Sequence, residues 1–306
     1  MSMRGSLISW ILVLLVLLAL LLALSMYLPS RPGSVSATIS ETTWGNVTVV
    51  RILYREVSVP YARLYVLVDN NAWDGFKTAW GLSIFVETPR GNVLFDTGPD
   101  PGVLSYNAER LGLDPCNVSA VVISHEHMDH IGGLAYIAKH CPRTPVYVPK
   151  GISKASLEWM RKLGLRDIRV VDATTSVLPG VYVLSPLMGP PSEESLAINV
   201  TGRGIVLLVG CSHPGIVRIV RHAEKLLGER VLLVMGGFHL AWAPENEVEK
   251  IARSLIGLNV SYIAPIHCSG DTIRSLLARN YPSHYIEAHV GTVIEVGGNC
   301  PTICTR

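Results

Sequence analysis

Apolar positions along this chain fall into two regimes. From Leu7 to Leu28 they are continuous, dominated by leucine and free of charge, which as a helix is long enough to cross about 30 Å of hydrocarbon. From Val47 onward they break into short runs at strand or helix spacing. Val47 to Tyr54, Arg63 to Val68, Leu82 to Glu87 and Val93 to Phe95 are β-branched and aromatic, so four strands precede any clear helix, the last two as a hairpin at Gly91-Asn92. Between the second and third strands, Asp69 to Trp80 carries Trp73, Phe76 and Trp80 without alternation. It is a candidate loop on the substrate side, or a hydrophobic cover for the core.

Val103 to Leu113 has helical spacing, Val118 to Ile123 reads as a buried strand, and His130 to Lys139 reads as a helix. A strand from Pro145, a helix from Lys154 to Leu163 and a strand from Ile168 follow. The second half repeats this grammar. Strands at Gly180 to Leu184, Leu196 to Val200 and Gly204 to Val209 lead to a helix from Pro214 to Leu227. Then come strand Val231 to Met235, helix Glu245 to Leu258, strand Ser261 to Ala264, helix Asp271 to Asn280, and closing strands near Tyr285 and Thr292. Two similar halves of this kind suggest two sheets face to face with helices outside.

The chemistry concentrates after the strand that ends at Ile123. Ser124-His125-Glu126-His127-Met128-Asp129-His130 places three imidazoles and two carboxylates within six positions. Past a strand end, alternation lapses and neighbouring side chains can converge on one cation. Imidazole with carboxylate suits zinc, iron or manganese better than calcium or magnesium. Three later strand ends also carry donors: Gly210-Cys211-Ser212-His213, Gly236-Gly237-Phe238-His239 and Ile266-His267-Cys268-Ser269-Gly270.

His125, His127, Asp129 and His130 match the His-x-His-x-Asp-His signature of the metallo-β-lactamase-fold hydrolases, which the chain resembles from about Val47 to Val296. Leu94-Phe95-Asp96-Thr97-Gly98 is similar to that superfamily's first motif, whose aspartate supports the site. The resemblance implies a mixed α/β (α+β) fold, the four-layer αββα sandwich, here preceded by one N-terminal transmembrane helix. Gly-Cys-Ser-His, Gly-Gly-Phe-His-Leu and His-Cys-Ser-Gly narrow it to a branch resembling dihydropterin ribofuranosylaminobenzene phosphate synthase-like proteins, from which Glu126, Met128 and Trp80 depart.

That likeness leads to an assignment of His125, His127 and His213 to one metal ion and of Asp129, His130 and His267 to a second. Asp96 is expected to support the site, Cys211 to bridge or stand by, and Asp129 and His239 to handle protons or polarise substrate. His140, His222, His284 and His289 are left as ordinary histidines. The cofactors expected are two divalent ions, zinc foremost, with iron or manganese as alternatives. Such a pair acidifies a bridging water and clamps the oxygen that gains charge, so the first expectation is a hydrolase acting on an ester, lactone, amide or phosphoester. The alternatives are the branch's transferase in pterin biosynthesis, a tethered metal- or ligand-binding module without turnover, and redox di-iron chemistry.

Length and charge bound the rest. The 306 residues carry a net charge of +2 with no dense Lys/Arg cluster, so nothing suggests a nucleic-acid surface. The expected partners are a small-molecule substrate and the membrane. The expected layout is an anchor at 1–28 or a cleaved signal, a tether at 29–46, a catalytic domain at 47–297 and a tail at 298–306. The apolar run is longer than the about 7 to 15 residues of a signal, and Pro29-Ser30-Arg31-Pro32-Gly33 follows it in place of a cleavage site, which favours the anchor. Arg4 faces Arg31 across the segment, and the catalytic domain is expected outside the cytoplasm. Of six cysteines, Cys300 and Cys304 could close a terminal loop and Cys116 could reach Cys141 in an oxidising compartment, while Cys211 and Cys268 adjoin site histidines.

Overall fold

The computed structural model describes residues 36–44, 47–55 and 57–305, with side chains from Val57 onward. Met1–Pro32 and Gly33–Arg306 are separate units, and the first, with the expected membrane helix, lies outside the described residues. Among the described residues no helix is long and apolar enough to cross a membrane.

The chain opens with β1 (Ser36–Trp44) and β2 (Val47–Arg55), an antiparallel pair forming a sheet of its own. Half of the segment expected as a tether, Ser36–Trp44, is therefore strand, as β-branched Thr38, Ile39, Thr42 and Thr43 favour. Next come β3 (Tyr61–Val68), β4 (Ser83–Thr88), β5 (Gly91–Phe95), α1 (Pro101–Arg110), β6 (Ala120–Val122), α2 (Met128–Ile131) and α3 (Leu134–His140). They are followed by β7 (Val146–Pro149), α4 (Lys154–Leu163), β8 (Ile168–Val171), β9 (Thr175–Leu178), β10 (Val181–Val183), β11 (Leu187–Met188) and β12 (Ser192–Glu193). The chain continues through β13 (Leu196–Val200), β14 (Gly204–Val209), α5 (Ile216–Leu227), β15 (Val231–Gly236), α6 (Glu245–Gly257) and β16 (Tyr262–Pro265). It closes with α7 (Asp271–Asn280), β17 (Val293–Gly297) and β18 (Ile303–Thr305).

Eight strands in the order β18-β17-β3-β4-β5-β6-β7-β8 face six in the order β16-β15-β14-β13-β10-β9. Period-two alternation builds both faces of each sheet. In β3, Ala62, Leu64 and Val66 enter the core between the sheets, while Tyr65 and Leu67 pack toward the helices. In β14, Val206 and Leu208 face inward, and Ile205, Leu207 and Val209 meet helices. The outer helices read the same way: α5 buries Ile216, Ile219, Val220, Ala223 and Leu227, one stripe at helical spacing. Each fully buried Val, Leu or Ile side chain among these contributes about 1.5–3 kcal/mol, and the result is four layers, helix, sheet, sheet, helix.

Three expectations are corrected. The helix expected from His130 is two short ones, because a Cβ on Gly132 would lie 2.1 Å from Pro99 O and one on Gly133 2.1 Å from Thr97 O. Those glycines let the loop after β5 lie against the metal-ligand loop. Tyr285 makes only an isolated bridge to Ile263, and the expected tail supplies edge strand β18, paired with β17. Disulfides join Cys116 to Cys141 and Cys300 to Cys304.

Candidate metal centre

Both sheets run parallel where the chemistry lies: β5 beside β6 in one, and β14, β15 and β16 in the other. The segments leaving these strands meet. Asp96, Ser212, His239 and His267 follow them closely and take φ of 56, 62, 55 and 51°. L-residues rarely occupy that region, so the surrounding packing must hold these bends.

The donors form two groups. His125, His127 and His213 make one, and Asp129, His130, Cys211 and His267 make another, the donor atoms of each lying within 4.8 Å of one another. His125 Nε2 is 3.1 Å from His127 Nδ1, and the His213 ring is 4.6 Å from that of His125. In the second group, Asp129 Oδ2 lies 3.7 Å from His130 Nε2 and 3.3 Å from His267 Nε2. Cys211 Sγ sits 3.2 Å from His130 Nε2 and belongs to this group rather than to that of His125.

Each group has buried support. Asp96 Oδ2 lies 2.7 Å from His130 Nδ1, and the same carboxylate accepts from Ser124 N and Ser124 Oγ, both at 2.7 Å. Ser124 Oγ in turn meets His125 Nδ1 at 2.9 Å. With one ring nitrogen occupied in this way, the other is turned toward the donors. Glu193 does the same for His213, its Oε2 lying 2.9 Å from Nδ1, while it accepts from the backbone N–H of Cys211, Ser212 and His213. Asp69 accepts from His267 N at 2.5 Å, and Asn70 Oδ1 lies 3.2 Å from His267 Nδ1.

Asp96 was expected to support the site, whereas Glu193 was not singled out and Ser124 and Asp69 were named only as the first residues of their segments. Glu193 follows Pro190-Pro191 before an apolar strand and carries no local signal of a site. Its partners lie about twenty residues on.

The electrostatics suit cation binding. Burial, with the neighbouring imidazoles, pushes His125 well below its usual pKa, so its lone pair is free. Burial would raise the Asp129 carboxyl, but His267 and His130 hold it at about 2. His267 Nε2 is buried and makes no hydrogen bond, although Asp129 lies close by. A buried ring nitrogen without a partner, set among a carboxylate, an imidazole and a thiol, fits a cation ligand.

His239 stands outside both groups, exposed on one side and beside His213 at 4.8 Å between rings. Trp80 lies 5.3 Å from the His267 ring and 5.8 Å from Trp242, and both indoles are largely exposed. This puts Trp80 on the site, together with Trp242, which sequence reasoning did not single out. Trp73 packs instead on His289, which lies 4.0 Å from Asp69 and so backs the His267 support. Of the other three histidines, His140 stacks on Tyr136, His222 bonds Ser185, and His284 bonds Val260 O. Glu126, the departure from the branch pattern, accepts from Ser153 N and Ser156 Oγ and so fastens the loop to the start of α4. Met128 is exposed.

Known proteins show the same frame. The chain is 27% identical over 284 residues to a 7,8-dihydropterin-6-methyl-4-(β-D-ribofuranosyl)-aminobenzene-5'-phosphate synthase of Methanocaldococcus jannaschii, covering 76% of this chain and 96% of that one. The crystal structure of a metal-dependent hydrolase of the β-lactamase superfamily superposes with a TM-score of 0.65 at 28% identity, over 78% of this chain and all of that one. A diphosphatase of the PhnP family shares the fold with a TM-score of 0.52 at 18% identity, over 77% and 97% of the two chains. Residues 81–239, just over half of the chain, match the metallo-beta-lactamase superfamily, and this protein belongs to it.

Proposed function

We propose that this protein is a metal-dependent hydrolase that holds two divalent cations, zinc foremost, and cleaves an ester, lactone, amide or phosphoester. The observation that carries this reading is the pair of adjacent donor groups, each with its own buried carboxylate support. His125, His127 and His213 would hold one cation, and Asp129, His130 and His267, with Cys211, the other. Cations held there supply Lewis acidity and acidify water near neutral pH.

The chain's own residues supply the remaining functions. Asp129, ionised at neutral pH, is the proton acceptor at the reacting centre. Asp96 and Glu193 fix the imidazoles. Trp80 and Trp242 offer an apolar, planar rim to the part of the substrate beside the scissile bond. A second reading, a transferase like the Methanocaldococcus jannaschii synthase, is favoured by the 27% likeness. The two disulfides support a domain outside the cytoplasm behind the segment Leu7 to Leu28.

Metal content per chain, beside a His127→Ala variant, tests the reading together with a screen of esters, lactones and phosphodiesters. At least two equivalents per chain, fewer in the variant, and turnover that falls with metal are expected. Loaded protein that transfers a pterin-bearing carbon but hydrolyses none of these would favour the synthase. Folded protein that binds no metal would end the proposal.

A further inference from the structure

The parallel neighbours β14, β15 and β16 each deliver one more donor, and these three form a group of their own. Cys211 follows β14, His239 follows β15 and Cys268 follows β16; their donor atoms lie within 4.8 Å of one another. Their backbones are fastened together. Gly237 N donates to Gly210 O, Ser212 Oγ to Gly237 O, and Phe238 N to Ser269 Oγ. Leu240 N and Ala241 N both donate to Cys268 O at 3.1 Å. The bend at His239, with φ of 55°, is therefore held by its neighbours, and it sets this imidazole against the sulfurs.

The sulfurs are unusual in this chain. The other four cysteines are paired in disulfides, while Cys211 and Cys268 remain free and buried with Sγ atoms 3.3 Å apart. Two thiolates bound tetrahedrally to one ion at about 2.3 Å sit about 3.8 Å apart, whereas a disulfide needs about 2.05 Å. Loading an ion has only to open the pair by about half an ångström, while oxidation must close it by more than twice that.

We propose that Cys211, His239 and Cys268 form a third cation site, rich in thiolate and suited to zinc or cuprous copper, joined to the Asp129 group through the Cys211 sulfur. Two thiolates and an imidazole with one open position is a donor set that takes soft or borderline ions. Cys211 is the one donor common to this group and to Asp129, His130 and His267, and a thiolate has lone pairs for two ions. The two sulfurs are buried and His239 is exposed, so the group has one donor at the surface. His239 then serves as a ligand, and not as the proton donor expected from the sequence.

The test is metal counting and spectroscopy on reduced full-length protein, which need no substrate and so stand apart from hydrolysis. Stripped protein loaded with Co(II) is expected to bind about three equivalents, and Cys268→Ser and His239→Asn about two. The thiolate-to-cobalt absorption should fall by about half or more in Cys268→Ser, because Cys211 alone remains. Cadmium-113 NMR of the unmutated protein covers the case of a misfolded variant: one resonance shifted by two thiolates and another by one are expected. A stoichiometry of two with unchanged thiolate absorption in Cys268→Ser would overturn the proposal. So would a single thiolate-shifted cadmium resonance, or a Cys211 to Cys268 disulfide that persists in reduced protein offered the ion.

Discussion

Two buried carboxylates near the centre differ in their partners: Asp96 is hydrogen-bonded and Glu194 is not. Asp96 accepts from Ser124 and meets His130, so its loss frees an imidazole to turn. Asp96→Asn is expected to weaken metal binding by about 10- to 100-fold, read by competition with a chelator, with the fold retained. Glu194 is buried with neither oxygen hydrogen-bonded, and burial first, then Asp96, pushes its carboxyl well above the usual range. An acid whose pKa is raised on folding stabilises fully below its unfolded value, here near 4.5, and loses that contribution as pH rises through the folded value. Glu194→Gln has no such proton to lose. Its melting temperature should hold from pH ~4.5 upward where the parent's declines; parallel profiles would show that the buried carboxylate is not the cause.

The strand ends place the donors, and their close approaches are what a substitution would disturb. Gly236 takes φ of 137°, and a Cβ there would lie 1.9 Å from Val209 O, between the strands that lead to Cys211 and His239. Gly236→Ala is expected to cost more than about 2 kcal/mol and to lower metal occupancy, measured by denaturant unfolding and metal analysis. Farther from the site, the Cys116–Cys141 disulfide spans 25 positions and ties the approach to β6 to the end of α3. Reducing it should lower stability by about 3 kcal/mol, seen as an earlier unfolding midpoint. An unchanged midpoint would mean that the packing of α1 and α3 already holds this corner.

The core between the sheets and the donor groups are distinct parts of the molecule, joined only at the strand ends. A chelator is therefore expected to leave the far-UV circular dichroism unchanged while lowering the melting temperature, since ligands that bind only the folded state stabilise it. Loss of the secondary structure on chelation would make the metal part of the framework. Much of this architecture was legible in the chain. Lys154–Leu163, Ile168–Val171, Leu196–Val200, Gly204–Val209 and Asp271–Asn280 were each expected with the limits observed, because alternation or helical spacing is a local property of the backbone. The donors were legible for a related reason. A histidine or cysteine directly after an apolar run leaves a strand end, where side chains are free to converge. Long-range partnership was not local. Glu193 reaches His213 across 20 positions, Cys211 meets Cys268 across 57, and Trp80 faces Trp242 from the opposite sheet's loops. Which donors share an ion depends on how the two sheets stack and on bends such as those at His239 and His267. Many contacts together set these features, and no stretch of sequence encodes them alone.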